Sequence, residues 1–395
     1  MSYNIGLSGL RTTNQALDVI SQNIANVSTA GFKAGRAEFA ALYSGGQPGG
    51  VELAGVTQDF GKDGTKEFTG RNLDLAITGQ GFFVTKNSLG QAVYTRAGTF
   101  GKDAQNYITA ASGERLQGYG VDANGNLLTG VMSDLKVSAS NLPAKASTQL
   151  DFAANLRADA AVPANAFDPA DASSYNFSYT SSLYDSLGSE HNLTQYFVKT
   201  GPNAWTVNYY VDGAALGSPA SQAVTFNTDG TLSSPAAPVS LNLAPAGADP
   251  MTVSLDMSTS TQYAADFNAS YDADGYSSGE LAGVRVDNDG GLYAVFTNGK
   301  DLLQGKVVLA NFDNPEGLAK GDNTSWTQTF ASGNAMLGEP GTGSLGNLTA
   351  GAYEGSNVDL TGELVNLMTA QRNYQANAKS ISTADKMTQV LFSSM

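Results

Sequence analysis

Apolar side chains recur every seven residues at both ends of this chain, and that spacing constrains its fold more than any other feature. The N-terminal stripe consists of Leu10, Leu17, Ile20 and Ile24. The C-terminal stripe consists of Leu360, Leu364, Leu367, Tyr374, Ile381 and Leu391. A seven-residue repeat keeps one narrow apolar face along a helix, which is typical of coiled-coil packing. The sequence therefore predicts helices over residues 1–26 and 358–395.

Helices with one narrow apolar face need a partner that covers it. Two arrangements fit the pattern equally well. The two helices form a hairpin that caps a domain of their own chain, or they pair with the helices of other copies. The stripes alone do not decide between these arrangements.

The chain between the two ends alternates apolar and polar residues, which indicates half-buried β-strands. One such run contains Trp205, Val207 and Tyr209, and another contains Met251, Val253 and Leu255. Asp-Gly and Asn-Gly turn signals separate the runs, at residues 185–188, 227–230, 124–125 and 298–299. The predicted fold class is mainly β, with α-helices at both ends.

Charge argues against several kinds of partner. The chain has 21 Lys+Arg and 36 Asp+Glu, which gives a net charge of −15. It therefore lacks the basic face of a nucleic-acid-binding protein or a membrane-surface anchor. Only 14% of residues are charged and 45 are Gly. We therefore expect a turn-rich protein with an uncharged polar surface, no nucleic-acid partner and no membrane insertion.

The residues that most often carry chemistry are scarce. The chain has no Cys and one His, which excludes thiolate catalysis, cysteine-ligated metals and multi-histidine sites. The Asp-rich segments 272–275 and 287–290 lack the full spacing of a calcium loop, and we interpret them as turns. A carboxylate pair of the glycosidase type stays open, because its two acids need not be close in sequence. We predict no catalytic residue, no metal site and no cofactor.

No targeting segment of a familiar kind is visible. The first residues lack the basic and apolar regions of a cleaved signal peptide. No apolar run reaches the ~18–20 residues of a membrane-spanning helix. The composition is nevertheless typical of an extracellular protein, so we expect export by a route that needs no cleaved signal.

Shifts in composition predict a domain inserted within another domain. The central β domain takes residues 71–145 and 270–351, and the inserted outer β domain takes residues 146–269. A Gly-rich connector covers 27–70, and a short connector covers 352–357. Insertions of this kind are tolerated at surface turns.

Four motifs resemble the flagellar rod and hook family of axial proteins. The pattern N-x-A-N-x-x-T-x-G-F-K is present at residues 23–33, and a second pattern spans residues 356–377. Residues 70–83 and 94–100 are similar to the central block of the family. The motif residues that the resemblance marks in the terminal patterns are Asn23, Ala25, Asn26, Gly31, Phe32, Lys33, Asn357, Asp359, Gln371 and Arg372.

Length and the central insert distinguish between members of that family. Residues 184–188, 196–200 and 308–318 resemble the hook members, whereas distal rod members are shorter and lack a β domain at 146–269. The nearest alternative is a long distal-rod-like protein. A secreted β-rich glycan-binding protein or glycosidase is an alternative of a different class.

Two positions depart from the family pattern. Tyr353 stands where the family has Leu, in the triplet before the C-terminal motif. Early substrates of the flagellar export gate commonly carry Phe-x-x-x-Phe, whereas here Phe39 is followed by Tyr43. Residues 39 and 43 are therefore a candidate export-gate motif.

The resemblance implies a structural subunit with no enzymatic activity, located outside the cell in the flagellum. Many copies would assemble into a flexible tube that transmits torque from rod to filament. Partners would be the distal rod, the hook cap, the hook–filament junction proteins and the type III export apparatus. The terminal helices would be largely disordered in the monomer and would pair as coiled coils in the inner tube.

Overall fold

The computed structural model describes residues 2–44, 47–122, 125–138 and 140–393. Contacts within the chain divide it into two compact units. Unit 1 comprises Met1–Ala139, Gly283–Val295 and Asp301–Met395, and unit 2 comprises Ser140–Ala282 and Phe296–Lys300. Unit 2 is thus inserted into the sequence of unit 1.

The first part of unit 1 contains one long helix and ten strands. The helix is α1 (Ser2–Ala25). The strands are β1 (Gly35–Ser44), β2 (Gln47–Gln58), β3 (Lys66–Phe68), β4 (Leu75–Thr78), β5 (Phe82–Lys86), β6 (Ala92–Thr95), β7 (Phe100–Lys102), β8 (Ile108–Ala110), β9 (Arg115–Val121) and β10 (Leu127–Asp134).

Unit 2 is built from the next ten strands. They are β11 (Gln149–Asn155), β12 (Phe177–Tyr184), β13 (Glu190–Gly201), β14 (Ala204–Val211), β15 (Ala214–Ala215), β16 (Ser221–Phe226), β17 (Leu232–Ser234), β18 (Val239–Leu243), β19 (Met251–Asp256) and β20 (Asn268–Ala273).

The chain then completes unit 1 and ends in a second long helix, α2 (Leu360–Ser393). The strands before it are β21 (Leu281–Val286), β22 (Gly291–Phe296), β23 (Asp301–Val307), β24 (Leu309–Asn311), β25 (Ala319–Lys320), β26 (Ser325–Thr327), β27 (Met336–Gly338), β28 (Asn347–Ala350) and β29 (Ala352–Glu354). A single 3₁₀ turn, Pro315–Gly317, follows β24.

Unit 2 is a two-sheet β structure with one shared apolar core. Strands β18, β19, β11 and β20 form one sheet, and β12, β13, β14, β16 and β17 form the other, with β15 beside β14. Side chains of both sheets meet in one buried cluster that includes Phe152, Phe197 and Trp205. This is the sheet-on-sheet packing expected of alternating strands.

The predicted alternation is confirmed in the two runs that indicated it. Trp205, Val207 and Tyr209 of β14 are buried, while the residues between them are half-buried. In β19 the buried positions are Met251, Val253 and Leu255. The pleat sends successive side chains to opposite faces, so each run fills one layer of the core.

The predicted turns of unit 2 are also present. Gly188 donates its N–H to the Asp185 carbonyl, and Gly230 donates to Asn227 in the same way. Both glycines have positive φ, a conformation that other residues rarely adopt. The predicted turn at Asn124 lies outside the described residues.

The largest sheet of unit 1 brings together strands from both parts of its sequence. Its main path runs β21-β22-β23-β9-β5-β6-β26-β25, so strands of residues 82–121 pair with strands of residues 281–327. An aromatic cluster that includes Phe82, Phe312 and Trp326 packs in this region. The sequence segments on either side of unit 2 therefore form one continuous sheet within unit 1.

The segment predicted to be a Gly-rich connector contains a long β-hairpin instead of irregular chain alone. Strands β1 and β2 pair antiparallel from Gly35 with Gln58 to Ser44 with Gln47. The strand register shifts twice, after Glu38 and after Leu42. Because of these shifts, apolar and polar residues do not alternate regularly along the hairpin sequence.

The mainly-β class with helices at both ends is confirmed by these elements. In the part of the chain that the structure describes, no helix has the length and apolar character required to span a bilayer.

Candidate polymer interface

Helices α1 and α2 pack against each other in antiparallel fashion within one chain. A Cβ on Gly6 would lie 2.9 Å from Cγ1 of Ile381, and a Cβ on Gly9 would lie 2.8 Å from the amide nitrogen of Asn377. At the other end, Asn23 contacts Glu363. The structure thus shows the hairpin arrangement, with small residues of α1 allowing the close approach.

The predicted N-terminal stripe is half-buried along its length. This holds for Leu10, Leu17, Ile20 and Ile24. Ile20 also lines a cavity of about 510 Å³ between α1, α2 and the start of the β-hairpin. The stripe is therefore partly covered by the chain itself and partly available.

The predicted C-terminal stripe divides into covered and uncovered positions. Leu367 and Ile381 are half-buried, whereas Leu360 is 41% exposed, Leu364 45% and Tyr374 38%. A straight α-helix drifts by ~20° per heptad relative to a seven-residue repeat, so one stripe cannot keep facing one neighbour. Leu391 lies in α2, but its side chain is outside what the structure describes.

A second apolar row runs along α2 beside the face that contacts α1. Leu360, Leu364 and Met368 are spaced by four residues and therefore lie one above another on the helix. All three are exposed, and the neighbouring Val365 is 52% exposed. About half of each of these side chains is therefore left uncovered by contacts within one chain.

Asn23 joins α1 to both neighbouring elements. Its side chain is buried, donates to the Gly35 carbonyl at 2.8 Å and accepts the Gly35 N–H at 2.8 Å. It also donates to Oε1 of Glu363 on α2 at 3.1 Å. Only an amide has the donors and acceptor for this set of contacts.

The loop after α1 is fixed to the segment before α2. Gly31 has φ +68°, and a Cβ there would lie 2.3 Å from the Ala97 nitrogen. Half-buried Phe32 accepts the Asn357 N–H through its carbonyl at 3.3 Å. The Asn357 side chain accepts the Ala34 N–H at 2.7 Å. The family motifs at both ends thus meet at one place, which we call the helix root.

A buried ion cluster lies at the centre of the helix root. Nζ of Lys33 is 2.8 Å from Oε1 of Glu354, and NH1 of Arg96 is 3.0 Å from Oε2 of the same carboxylate. Lys33, Arg96 and Glu354 are each at most 2% exposed in their side chains. Glu354 Oε1 also accepts the Gly64 N–H at 2.8 Å. One buried carboxylate is therefore shared by two buried cations, and the more exposed Asp63 carboxylate lies 3.8 Å from NH1 of Arg96.

Burial lowers the pKa of Lys33, and the Glu354 carboxylate only partly opposes this effect. The Lys33 ammonium finds further compensation at the Lys62 carbonyl, 2.8 Å away. Removing one partner from a buried pair leaves an uncompensated charge, which costs about 3–5 kcal/mol. The helix root is thus sensitive to any change at Glu354.

The other motif residues have local or exposed positions. Asn26 caps the end of α1, because its amide donates to the Gln22 carbonyl at 2.9 Å. Asp359 accepts the Thr361 N–H at 3.0 Å at the start of α2. Ala25, Gln371 and Arg372 are exposed.

The candidate export-gate residues lie on strand β1. Phe39 is 45% exposed and Tyr43 is 71% exposed. Phe39 also lines the cavity between the hairpin and the two helices. Both aromatic side chains are therefore accessible in the folded chain.

The Asp-rich turns are occupied by contacts within the protein. Asp274 accepts the N–H groups of Thr148 and Gln149 and pairs with Lys145, and the net effect lowers its pKa although burial alone would raise it. Arg285 pairs with Asp287. Within the described ranges no group of three or more His, Asp or Glu residues has an arrangement that could hold a metal ion.

The single histidine, His191, lies between two carboxylates. Its Nδ1 lies 2.7 Å from Oδ2 of Asp212 and its Nε2 lies 3.3 Å from Oδ2 of Asp185. Hydrogen bonding to Asp212 raises the pKa of His191, burial opposes this, and Asp185 raises it further. His191 thus links two turns of unit 2.

Several important residues escaped prediction from the stripes. Gly6 and Gly9 carry the close helix contact, and Glu354 and Arg96 complete the buried ion cluster. Small residues three apart on one helix face were the available signal for the first pair. No local signal exists for the ion cluster, because its members are far apart in sequence.

The structure therefore has long terminal helices rooted in a β unit, with an apolar row left exposed on α2. Family models match along the chain: a flagellar basal body rod protein at residues 4–33, and the D1 domain of flagellar hook protein FlgE/F/G at 76–165. The flagellar basal body protein FlaE D2 domain matches at 155–276, and the C-terminal region of the FlgEFG basal body rod proteins at 349–393.

Full-length relatives narrow this class further. The chain is 40% identical to the flagellar hook protein FlgE of Escherichia coli K12 and 39% identical to that of Salmonella typhimurium, with 99% of each chain covered. It is 33% identical to FlgE of Rhizobium meliloti, over 98% of this chain and 97% of the relative. The chain belongs to the flagellar hook protein family, which confirms the predicted resemblance.

A solved structure shares the fold. The crystal structure of Helicobacter pylori flagellar hook protein FlgE2 aligns with a TM-score of 0.54 at 15% identity. The alignment covers 71% of this chain and 98% of that chain.

Proposed function

We propose that this chain is the subunit of a flagellar hook and polymerises into a flexible tube that transmits torque from rod to filament. The role is mechanical and requires no reaction. Family membership supports the assignment, and the structure supplies a reason for self-association.

The observation that carries the proposal is the uncovered apolar row of α2. Leu360, Leu364 and Met368 are exposed although α1 already occupies the adjacent face. Burying apolar surface is worth about 25 cal/mol per Å², so contacts with other copies would supply energy that the single chain lacks. Open-ended contacts of this kind produce helical tubes and not closed rings.

We assign the inner tube to the paired helices of neighbouring copies. The half-buried residues Leu10, Leu17, Ile20, Ile24, Leu367 and Ile381 would hold each hairpin together or complete its contacts. The exposed residues Leu360, Leu364 and Tyr374, with Leu391 near the end of α2, would meet the next copies. The domain predicted at 71–145 and 270–351 would form the middle layer, and that predicted at 146–269 the outer layer.

Assembly would take place outside the cell, after passage through the type III export apparatus without removal of a signal peptide. Phe39 and Tyr43 are the residues we propose for recognition at the export gate. The tube would join the distal rod at one end, would grow under the hook cap, and would meet the hook–filament junction proteins at the other end.

The test places a charge on the uncovered row. Leu364→Asp should abolish tube formation by the purified chain in electron micrographs, because a carboxylate would have to be buried between copies. The melting temperature of the monomer should stay within 1–2 °C of the wild type, roughly the effect of a surface substitution.

Ser380→Asp is the matched control, since it adds the same charge at an exposed position on a different face of α2. This variant should still form tubes. Normal tubes from the Leu364→Asp chain would refute the proposed interface.

A further inference from the structure

Three buried side chains in the core of unit 2 have polar atoms for which the described residues offer no partner. Ser181, Gln195 and Tyr209 are each 0% exposed. Among the described residues, neither the Ser181 hydroxyl, nor the Tyr209 hydroxyl, nor either polar atom of the Gln195 amide has a hydrogen-bond partner. Buried polar groups in folded proteins are almost always hydrogen-bonded, because their loss of hydration is otherwise uncompensated.

The strand register places these three side chains close together. Gln195 on β13 lies directly opposite Tyr209 on β14, and Ser181 on β12 lies opposite Leu193, two residues before Gln195. Residues in opposite positions have Cβ atoms about 4.5–5.5 Å apart, and diagonal neighbours lie about 7–8 Å apart. All three side chains point to the inner face of the sheet. The unpaired atoms therefore form one polar group in the core, centred on Gln195.

The facing sheet has no side chain that could pair with this group. Every buried position of β11, β18 and β19 is Leu, Phe, Ala, Val or Met. On the sheet of Gln195 itself, the next inward residues along the two strands are Phe197 and Val207, which are apolar as well. A partner for the polar group must therefore be a small molecule that can both donate and accept hydrogen bonds.

Water has the properties that this position requires. Buried waters typically make about three hydrogen bonds to polar groups that are otherwise unsatisfied, and globular proteins hold about one such water per ~27 residues. The Gln195 amide offers donors and an acceptor, and each of the two hydroxyls can both donate and accept. Burial raises the pKa of Tyr209, so its hydroxyl keeps its proton and remains a donor.

We propose that ordered water is bound between the two sheets of unit 2 and joins Gln195 to Tyr209 and Ser181. The Tyr209 hydroxyl donates to water, which donates to Oε1 of Gln195. Nε2 of Gln195 donates to water, which donates to the Ser181 hydroxyl. The site lies inside one unit, so the inference is independent of the proposed assembly into tubes.

The direction in which one substitution changes stability tests the proposal. Tyr209→Phe removes only a hydroxyl. Because water satisfies that hydroxyl, the variant should raise the equilibrium constant for unfolding of unit 2 about 3- to 10-fold, the effect of losing one hydrogen bond. Urea unfolding of the full chain, followed by Trp205 fluorescence in a Trp326→Phe background, measures this constant. An unchanged or lower constant would overturn the proposal, since removal of an unpaired buried hydroxyl does not destabilise a fold.

A second variant tests whether water connects the two side chains. In a Gln195→Met background, Tyr209→Phe should no longer raise the unfolding constant, because water has lost the amide that helps to hold it. The matched control is Tyr210→Phe, which removes a hydroxyl from the next residue of β14, on the other face of the sheet. Its small effect should be the same in both backgrounds. Equal effects of Tyr209→Phe in both backgrounds would contradict the connection.

Direct detection distinguishes bound water from a hydrogen bond between Gln195 and Tyr209 themselves. In the monomeric full chain with isotope-labelled glutamine, the side-chain amide protons of Gln195 should show a rotating-frame Overhauser cross-peak to water. The sign of that cross-peak separates contact with water from hydrogen exchange. The Gln195→Met chain identifies the amide signal by its loss. Coupled substitutions without a water cross-peak would indicate a direct bond and refute the water site.

Discussion

The core of unit 2 and the terminal helices use apolar residues in opposite ways. In strand β14 the inward-facing side chains of Trp205, Val207 and Tyr209 are buried within the unit. In α2 the row of Leu360, Leu364 and Met368 stays exposed although the helix has a partner along one face. The strand alternation describes a core that one chain completes, whereas the row on α2 is the surface that we propose other copies cover.

The largest expected difference between the core of unit 2 and helix α2 is in the rate of backbone hydrogen exchange. In the monomer, amides of α2 beyond residue 377 should exchange about 1,000-fold faster than those of β14. The reason is that the strand opens only with its whole unit, while the helix end opens locally. Backbone exchange followed by NMR or mass spectrometry measures the difference.

Equal protection of the two regions would show that the helical hairpin is as stable as the β core. The uncovered row would then lie on a preformed rod. Assembly into tubes should itself remove the difference, and tubes in which α2 still exchanges rapidly would contradict burial between copies.

The helix root should behave like the core in spite of its position beside the helices. Glu354→Ala removes the buried carboxylate that Lys33 and Arg96 share, leaving only the more exposed Asp63 3.8 Å from Arg96, and should cost unit 1 about 3–5 kcal/mol of unfolding free energy. The two Trp residues lie in different units, so Trp326 fluorescence in a Trp205→Phe background reports urea unfolding of unit 1 alone.

Glu67→Ala is the matched control for that measurement. Glu67 lies on β3 directly opposite Tyr353, next to Glu354, but it is exposed. Its replacement should change the free energy by less than about 0.5 kcal/mol. If both variants lost a similar amount of unfolding free energy, burial of the ion cluster would not be what stabilises unit 1 at this place.

The smallest expected effect concerns pH and the contact of His191 in unit 2. The raised pKa of His191 means that its charged contacts stabilise unit 2 fully below about pH 6.5, and that this contribution declines as pH rises through the folded pKa. Hydrogen bonding to His191 lowers the pKa of Asp212. The contribution of that carboxylate is therefore present above about pH 4 and is lost in stronger acid.

His191→Gln should accordingly cost unit 2 about 1 kcal/mol or somewhat more at pH 5.5, and less at pH 8.5. Urea titrations at the two pH values, followed by Trp205 fluorescence in a Trp326→Phe background, measure the difference. Ser189→Ala in the adjoining turn should give the same small change at both values. A His191→Gln effect that is constant between them would show that charge is not involved.

How far the sequence predicted this molecule depended on the distance over which each contact acts. The strands of unit 2 and their turns were predictable, because alternation and Asp-Gly signals are local properties. The pairing of β1 with β2 was not, since Gly residues and two register shifts hide its pattern. The ion pair of Lys33 with Glu354 joins positions 321 residues apart, and a single sequence contains no sign of it.

The candidate interface was predicted in outline and missed in detail. The helices follow from the stripes, but the stripes assume 3.5 residues per turn, and the real helix turns Leu360 away from the face that holds Ile381. The close contacts depend on Gly6 and Gly9, which an apolar pattern overlooks.

The sequence separation of the residues in the helix root also affects the order in which parts of the chain fold. A carboxylate at position 354 must return to an ammonium at position 33, so nearly the whole chain has to emerge before the root closes. The β-strands between these two positions pair with partners that are closer in sequence, so they can form earlier. The part of the molecule that begins the sequence is thus among the last to be finished, and a chain cut short before Glu354 has no means of closing it.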